Sequence, residues 1–150
     1  MWSRCIGESV PIPTFPADLP RPQVSGFSRQ RADARRRRSF DAGPPKLSRR
    51  YSAVPVTWAM SMKLYAWQVA IFDRFYIDDC AEGSLPFYMK DYTVDGLPML
   101  DEQGRPLLTE GGVPLLWSKV MLCTWGETPP QFGDPKITRQ TVTFSVVEMP

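Results

Sequence analysis

The sequence predicts an α+β fold in which β-structure dominates, an antiparallel sheet or sandwich of about four or five strands with one packed helix. Three observations support this prediction. Residues 54–60 and 140–146 alternate apolar and polar side chains, which is typical of strands with one buried face. One long stretch after residue 61 repeats apolar side chains every three or four positions, as a helix does. The length of 150 residues indicates about one domain and allows a sizeable core.

Charge and proline divide the chain into two regions. Residues 1–50 carry 11 Lys/Arg and 4 Asp/Glu, a net charge of +7, whereas residues 51–150 carry 7 and 12, a net charge of −5. Half of the 16 prolines precede residue 56. We therefore predict an extended basic N-terminal arm over residues 1–50 and a β-rich body over residues 51–150.

The first part of the arm is rich in proline, which fixes φ and removes a backbone donor, so we expect it to run extended. One interpretation is a disordered tail. The other is an arm that lies on a neighbouring subunit, because apolar side chains recur here more often than in solvated tails. On the second interpretation Phe15, Leu19 and Phe27 are subunit-interface residues.

A run of four arginines follows in the arm: Arg35, Arg36, Arg37 and Arg38. The planar guanidinium suits phosphate, so contact with nucleic acid is one interpretation of this run. However, no aromatic side chains interleave the run as a stacking platform, and the body is net acidic. These observations favour contact with a copy of the chain or with an acidic neighbour. The run also suits a basic edge strand, since charged residues discourage edge-to-edge pairing.

The body contains one predicted helix, at about 61–79. Ser61 is a good N-cap, and neither Gly nor Pro follows until Gly83. Apolar side chains at helical spacing, among them Trp67 and Phe75, form a wide stripe. Such a stripe is more often core than a ligand site, so we expect this helix to cover one face of the sheet.

Residues 95–116 repeat one pattern, Gly-x-Pro followed by two apolar residues, three times at a spacing of eight. Glycine permits a turn with positive φ, and proline cannot donate to a strand ladder. Three units this short bury too little for a solenoid. We predict a hairpin or meander at about 93–116 that projects from the sheet, has Gly104 near its tip and contacts a neighbour. The predicted interface residues are Gly96, Pro98, Gly104, Pro106, Gly112 and Pro114.

Few residues suggest chemistry. The chain has no histidine, the commonest general base and metal ligand. No phosphate-binding, dinucleotide-binding or zinc-protease motif occurs, and an enzyme would have to use a carboxylate such as Glu82, Asp91 or Glu127. The odd number of cysteines and their spacing suggest neither a disulfide framework nor a zinc site, so we expect Cys80 and Cys123 to be small buried residues. We therefore predict no enzyme, no cofactor and no small-molecule substrate.

Nothing in the sequence suggests a membrane protein. No run of 18 apolar residues occurs, and the first residues lack the apolar core of a signal peptide. We expect a protein made in the cytoplasm that does not span a membrane.

The order of features resembles a group of small virion proteins encoded among the tail genes of double-stranded DNA tailed bacteriophages. The resemblance rests on a Pro-rich start (FPADLPRPQVSGFS), an arginine cluster before V-x-W-x-M, a helix entered at Ser61, G-S-L-P-F-x-M at 83–89 and the closing strand TVTFSVVEMP. Within that helix the aromatic side chains Trp67, Phe72 and Phe75 are expected to face the core. The resemblance covers roughly residues 14–92 and 115–150, and the repeats and first dozen residues depart from it.

The resemblance implies a structural subunit of the virion tail, made in the host bacterial cytoplasm and assembled as a ring or tube. Its partners would be copies of itself and other phage tail proteins, and no active site is implied. The alternative function is a nucleic-acid-binding module that uses Arg35–Arg38. A small lytic or carbohydrate-active enzyme is the third hypothesis.

Overall fold

The computed structural model describes residues 11–135 and 138–150, and it confirms the α+β, β-dominant class. Cys5 and the rest of the first ten residues lie outside this range. The described residues form β1 (Ser28–Arg31), β2 (Arg35–Arg38), β3 (Lys46–Arg49), β4 (Val56–Tyr65), α1 (Ala66–Arg74), β5 (Phe87–Lys90), β6 (Val120–Trp125), β7 (Gln131–Phe132) and β8 (Arg139–Glu148). A π-helical segment, Phe75–Asp79, continues α1.

Six of these strands form one antiparallel sheet in the order β1-β4-β8-β6-β5, with β7 paired to β8. The sheet is slightly larger than predicted because β1, from the predicted arm, pairs with β4. Strands β2 and β3 form a separate two-stranded antiparallel ribbon.

The centre of the sheet is the pair β4 and β8, which are hydrogen-bonded from Val56 opposite Glu148 to Tyr65 opposite Arg139. Alternate side chains of both strands are buried, as the period of two predicts for β8. The prediction that a helix begins at Ser61 is wrong, because residues 61–65 continue β4. Met62 and Leu64 continue the alternation of Trp58 and Met60, and pairing with β8 extends the strand through them.

Helix α1 begins only after Tyr65, whose backbone N–H donates to Gln68 Oε1 at 3.0 Å. Phe72 and Phe75 are buried as predicted. The expectation for Trp67 is wrong: 58% of its surface is exposed. The later start leaves a short helix whose buried face follows Gln68 and Phe72, and Trp67 lies off that face.

Residues 11–27 run across the sheet, and we call them the strap. At β5, the Phe15 N–H donates to the Tyr88 carbonyl at 2.7 Å and the Tyr88 N–H donates to the Pro13 carbonyl at 2.8 Å. At β4, the Gln23 N–H donates to the Ser61 carbonyl at 2.8 Å. The strap therefore joins the two ends of the sheet before it continues as β1.

The strap carries part of the core. Phe15 and Leu19 are only 6% and 7% exposed. The Phe15 ring centroid lies 5.5 to 6.4 Å from those of four aromatic side chains, Phe72, Phe75, Phe87 and Phe144. Edge-to-face and offset pairs of this kind contribute about 0.5–1.5 kcal/mol each beyond the area that they bury.

The predicted division at residue 50 is therefore corrected. Phe15 and Leu19 were predicted to contact another subunit, but they complete the core of their own chain. Phe27 is half-buried and packs on Trp58, with ring centroids 5.6 Å apart. The physical reason is that one short helix does not cover the sheet, so the strap supplies the remaining apolar surface. Of residues 11–50, only the ribbon β2–β3 stands apart.

Candidate functional site

In the part of the chain that the structure describes, two protrusions leave this body. The first is the basic ribbon, residues 33–50, which contains β2 and β3. The second is residues 96–117, between β5 and β6, which we call the three-leaf lobe. Together they contain all the predicted interface residues except Phe15, Leu19 and Phe27. Every residue of β2 and β3 is exposed, and so is nearly every residue of the lobe.

The basic ribbon places like charges opposite one another. Arg35 lies opposite Arg49, and Arg38 lies opposite Lys46. Directly opposed like charges destabilise a strand pair. Among the described residues, the ribbon strands contact each other but no other strand or helix. Contacts with the six-stranded sheet therefore do not offset the destabilising effect of these opposed charges.

Both faces of the ribbon are basic. Side-chain alternation places Arg35, Arg37 and Arg49 on one face, and it places Arg36, Arg38 and Lys46 on the other. Residues 33–50 carry 7 Lys/Arg and 2 Asp, a net charge of +5. Arg35 is paired locally, because its Nε donates to Asp33 Oδ1 at 2.9 Å. This hydrogen bond lowers the pKa of Asp33 to about 2.

The three-leaf lobe is closed by a triangle of backbone hydrogen bonds. The Leu107 N–H donates to the Met99 carbonyl, the Leu115 N–H to the Leu107 carbonyl and the Met99 N–H to the Leu115 carbonyl, each at 2.8 Å. Each bond joins a residue to its equivalent in the preceding repeat, and the third bond returns to the first repeat. The lobe therefore has pseudo-three-fold symmetry.

Three short leaves surround this triangle. Antiparallel bridges join Leu100 to Pro106, Leu108 to Pro114 and Leu116 to Pro98, which is the same pair in three rotated positions. Gly96, Gly104 and Gly112 have φ of +80°, +78° and +77°, respectively, so each repeat places glycine where other residues are strained. The predicted hairpin or meander with Gly104 near its tip is refined: Gly104 lies in the turn of one leaf, and backbone hydrogen bonds join the third repeat to the first, so that the repeats close on themselves.

The bridged residues of the lobe form an apolar surface. Alternation places the bridged residues on the same face, and all of them are exposed: Pro98, Leu100, Pro106, Leu108, Pro114 and Leu116. The three leucines have nearly equal exposed fractions of 54%, 57% and 57%. We call this surface the Pro/Leu face. The sequence prediction named its prolines but missed its leucines, although their identity in all three repeats distinguishes them from the other apolar repeat positions.

Polar contacts hold the base of the lobe. The buried Asp91 carboxylate accepts hydrogen bonds from the Thr93 backbone N–H and from Lys119 Nζ, both at 3.1 Å. Burial raises the pKa of Asp91, but the hydrogen bonds from Thr93 and Lys119 outweigh burial and hold the pKa below its ordinary value. From the strap, Arg21 Nη2 donates to the carbonyls of Tyr92 and Asp95 at 2.9 and 3.0 Å.

The thiols and carboxylates considered for catalysis differ in their burial, pKa and position. Burial raises the pKa of the Cys80 thiol and raises that of Cys123 to about 12, which disfavours the reactive thiolates. The lowered pKa of Asp91 is the reverse of what a general acid needs. Glu82 and Asp73 line an open cleft of about 310 Å³, and Asp91 and Glu127 are not among its lining residues. In the described ranges, no group of three His, Cys, Asp or Glu residues is arranged to hold a metal ion.

Comparisons with known proteins give no relative from which a function can be transferred. No protein-family model, curated protein or solved structure matches this chain. Within the described part of the chain, no helix is both long and apolar enough to cross a membrane. The basic ribbon and the Pro/Leu face are therefore the features from which a function can be inferred.

Proposed function

We propose that this chain is a structural subunit of a tailed-bacteriophage tail that assembles through its two protrusions into a ring or tube. The resemblance of the sequence to small tail-region virion proteins supplies the biological setting. The structure supplies the surfaces, since an exposed cationic ribbon and an exposed apolar face call for partners that the chain's own core does not provide.

The single observation that carries the proposal is the exposure of the Pro/Leu face. Soluble monomers rarely expose contiguous large apolar patches, and such patches commonly mark interaction sites. Here three leucines, each more than half exposed, lie on one small surface with three prolines. Within this proposal the chain is an assembly component rather than an enzyme.

The basic ribbon supports a head-to-tail arrangement. It carries +5, whereas residues 51–95 carry 3 Lys/Arg and 6 Asp/Glu, a net charge of −3, and the lobe carries −2. The ribbon of one copy on these acidic segments of the next is a heterologous contact, which closes into a ring when the rotation between copies permits. Charge complementarity also sets the register of such contacts.

The assembly is tested by light scattering at moderate salt on the full chain and on two replacement variants. The Arg50 N–H donates to the Ala34 carbonyl. Asn-Gly in place of residues 35–49 would therefore join these two residues through a two-residue turn. The Trp117 N–H donates to the Leu97 carbonyl in the same way, so Asn-Gly in place of residues 98–116 would remove most of the lobe.

We expect a discrete oligomer for the full chain and smaller species for the ribbon variant. The lobe variant should keep the oligomer of the full chain, because its missing surface would contact another tail protein. Both variants should keep the circular dichroism of the sheet, because the core lies outside the replaced segments. A strict monomer for the full chain at about 100 µM, far above the Kd of a stable contact, would contradict self-assembly.

A nucleic-acid-binding function is the second candidate, and the shape of the basic ribbon favours it. The major groove of B-DNA admits a two-stranded antiparallel ribbon. Three arginines or lysines on each face provide phosphate contacts.

This candidate is tested by measuring the affinity for duplex DNA as a function of salt concentration. Replacement of Arg35–Arg38 by Ala should weaken binding and reduce the slope of log K against log salt by about 0.9 for each phosphate that the variant no longer neutralises. Replacement of Lys63 and Arg74, which lie outside the ribbon, is the control and should leave the slope nearly unchanged. Equal effects of the two replacements would exclude the ribbon as the DNA-binding surface.

A further inference from the structure

We propose that the Pro/Leu face of the three-leaf lobe binds end-on to the three-fold axis of a homotrimeric protein, with one lobe on each trimer. This inference deepens the proposed assembly function and rests on it, because it names the kind of partner that covers the lobe.

The three repeats of the lobe keep only some of their positions identical. Aligned at their eight-residue spacing, the repeats are identical at the glycine, the proline and the second apolar residue, which is leucine each time. The intervening positions differ, since Leu97 corresponds to Arg105 and Val113, and Asp101 corresponds to Thr109 and Trp117. The identical positions are therefore the turn glycines and the whole Pro/Leu face.

The fold of the lobe explains only part of this identity. Each glycine is required by its positive φ, and each proline occupies a bridge position with a fixed φ. Leu100, Leu108 and Leu116 are different, because side chains more than half exposed contribute little to the lobe's own packing. Their identity is instead explained by a partner that presents the same surface to each of them.

A partner with three-fold symmetry presents the same surface three times. Homotrimers have this symmetry, and the surface around their axis repeats every 120°. An asymmetric groove would surround the three leucines differently and would not favour one residue at all three positions. The closed triangle of hydrogen bonds gives the lobe a matching pseudo-three-fold axis.

Charge disfavours a second copy of the lobe as the occupant. Residues 96–117 carry three acidic side chains and one basic side chain, a net charge of −2. Glu102 and Glu110 occupy equivalent positions at two leaf tips, and both are exposed. Two lobes face to face would bring these acidic tips together, which opposes association. The fitting partner is a trimer whose end is apolar at the axis and basic or neutral around it.

The experiment places a photo-crosslinking phenylalanine analogue at Leu100, Leu108 or Leu116, one position at a time, in assemblies purified from the cells that make the chain. All three positions should crosslink to the same peptide of one partner protein. Native mass spectrometry of the complex released from the assembly should give three partner chains for each lobe. The same analogue at Val24, an exposed strap position, is the control and should not crosslink to that peptide.

A second measurement uses the partner identified in this way. The substitutions Leu100→Ser, Leu108→Ser and Leu116→Ser should each weaken binding by on the order of tenfold, and the three losses should agree within about a factor of two. Arg105→Ser, on the other face of the lobe, should change binding by less than about twofold.

Several outcomes would overturn the inference. Crosslinks to three different peptides would indicate an asymmetric partner, crosslinks to the same chain would indicate lobe pairing, and no crosslink at any position would mean that the face is not an interface. The oligomeric state of the free chain is measured separately, so the trimer inference can fail while self-assembly holds, and the reverse.

Discussion

The strap and the three-leaf lobe have similar compositions, but the strap contributes apolar side chains to the core and the lobe exposes most of its own. Both are extended, rich in proline and spaced with apolar side chains. Phe15 and Leu19 of the strap are buried in the chain's own core, whereas Leu108 and Leu116 of the lobe are more than half exposed. The strap pairs with the edges of the sheet, but the lobe satisfies its backbone mainly within itself. Apolar side chains between prolines therefore do not identify the surface that they will cover.

The largest expected effect comes from removing the strap. A chain that begins at Tyr51 lacks Phe15, Leu19 and strand β1, and it exposes the aromatic core. We expect that this chain no longer unfolds cooperatively in urea. Tryptophan fluorescence provides the measurement. The variant with Asn-Gly in place of residues 98–116 is the counterpart and should unfold cooperatively. If both variants behaved alike, the contrast between strap and lobe would be wrong.

The next effect concerns single side chains in the two regions. Phe15→Ala should lower the free energy of unfolding by about 3–5 kcal/mol, because it opens a cavity among four aromatic rings. Leu108→Ala is the matched change in the lobe and should fall within about 0.5 kcal/mol of zero. Urea unfolding of both variants measures the difference, and a cost above about 2 kcal/mol for Leu108→Ala would show that the lobe is part of the folding core.

A smaller effect is a pH-dependent loss of stability at the base of the lobe, which polar contacts hold in place. The folded pKa of Asp91 lies below its ordinary value of 3.8, so its stabilising effect is fully present above pH 3.8 and is lost as the pH falls through the folded pKa. Asp91→Asn should cost about 1–2 kcal/mol at neutral pH, and this cost should shrink below pH 3.8. Urea unfolding against pH provides the measurement. Glu102→Gln, at an exposed leaf tip, is the control, and a pH-independent cost for Asp91→Asn would contradict the linkage.

The smallest effect tests the geometry of the lobe alone. Gly112 has a φ of +77°, so Gly112→Ala should destabilise the lobe by about 1 kcal/mol and speed amide exchange at Leu107 and Leu115. The neighbouring Gly111 lies outside the left-handed region, and Gly111→Ala should be neutral or slightly stabilising. Hydrogen exchange of the two variants measures the contrast. Equal exchange rates would mean that the closed triangle is not the solution structure.

The alternating patterns were sufficient to predict the fold class and the long strand β8. The buried face of a strand requires an apolar side chain at every second position, whichever element packs against it. The repeat could also be read from the sequence, since Gly-x-Pro-Φ-Leu (Φ is an apolar residue) recurs without change. The start of α1 was not predicted correctly, because Leu64 both continues the alternation of β4 and lies at helical spacing from Trp67. Pairing with β8 determines that residues 61–65 form a strand.

What the sequence by itself determined is local: the strand and helix periods, the turn glycines and the basic run. What only the tertiary structure decided is which apolar segments cover the core and which remain exposed. Phe15 is buried because one short helix does not cover the aromatic side chains on the sheet. The lobe closes on itself because backbone hydrogen bonds join each repeat to the next and the third repeat to the first. Both outcomes depend on surfaces formed by residues far apart in the chain, and no local pattern contains that information.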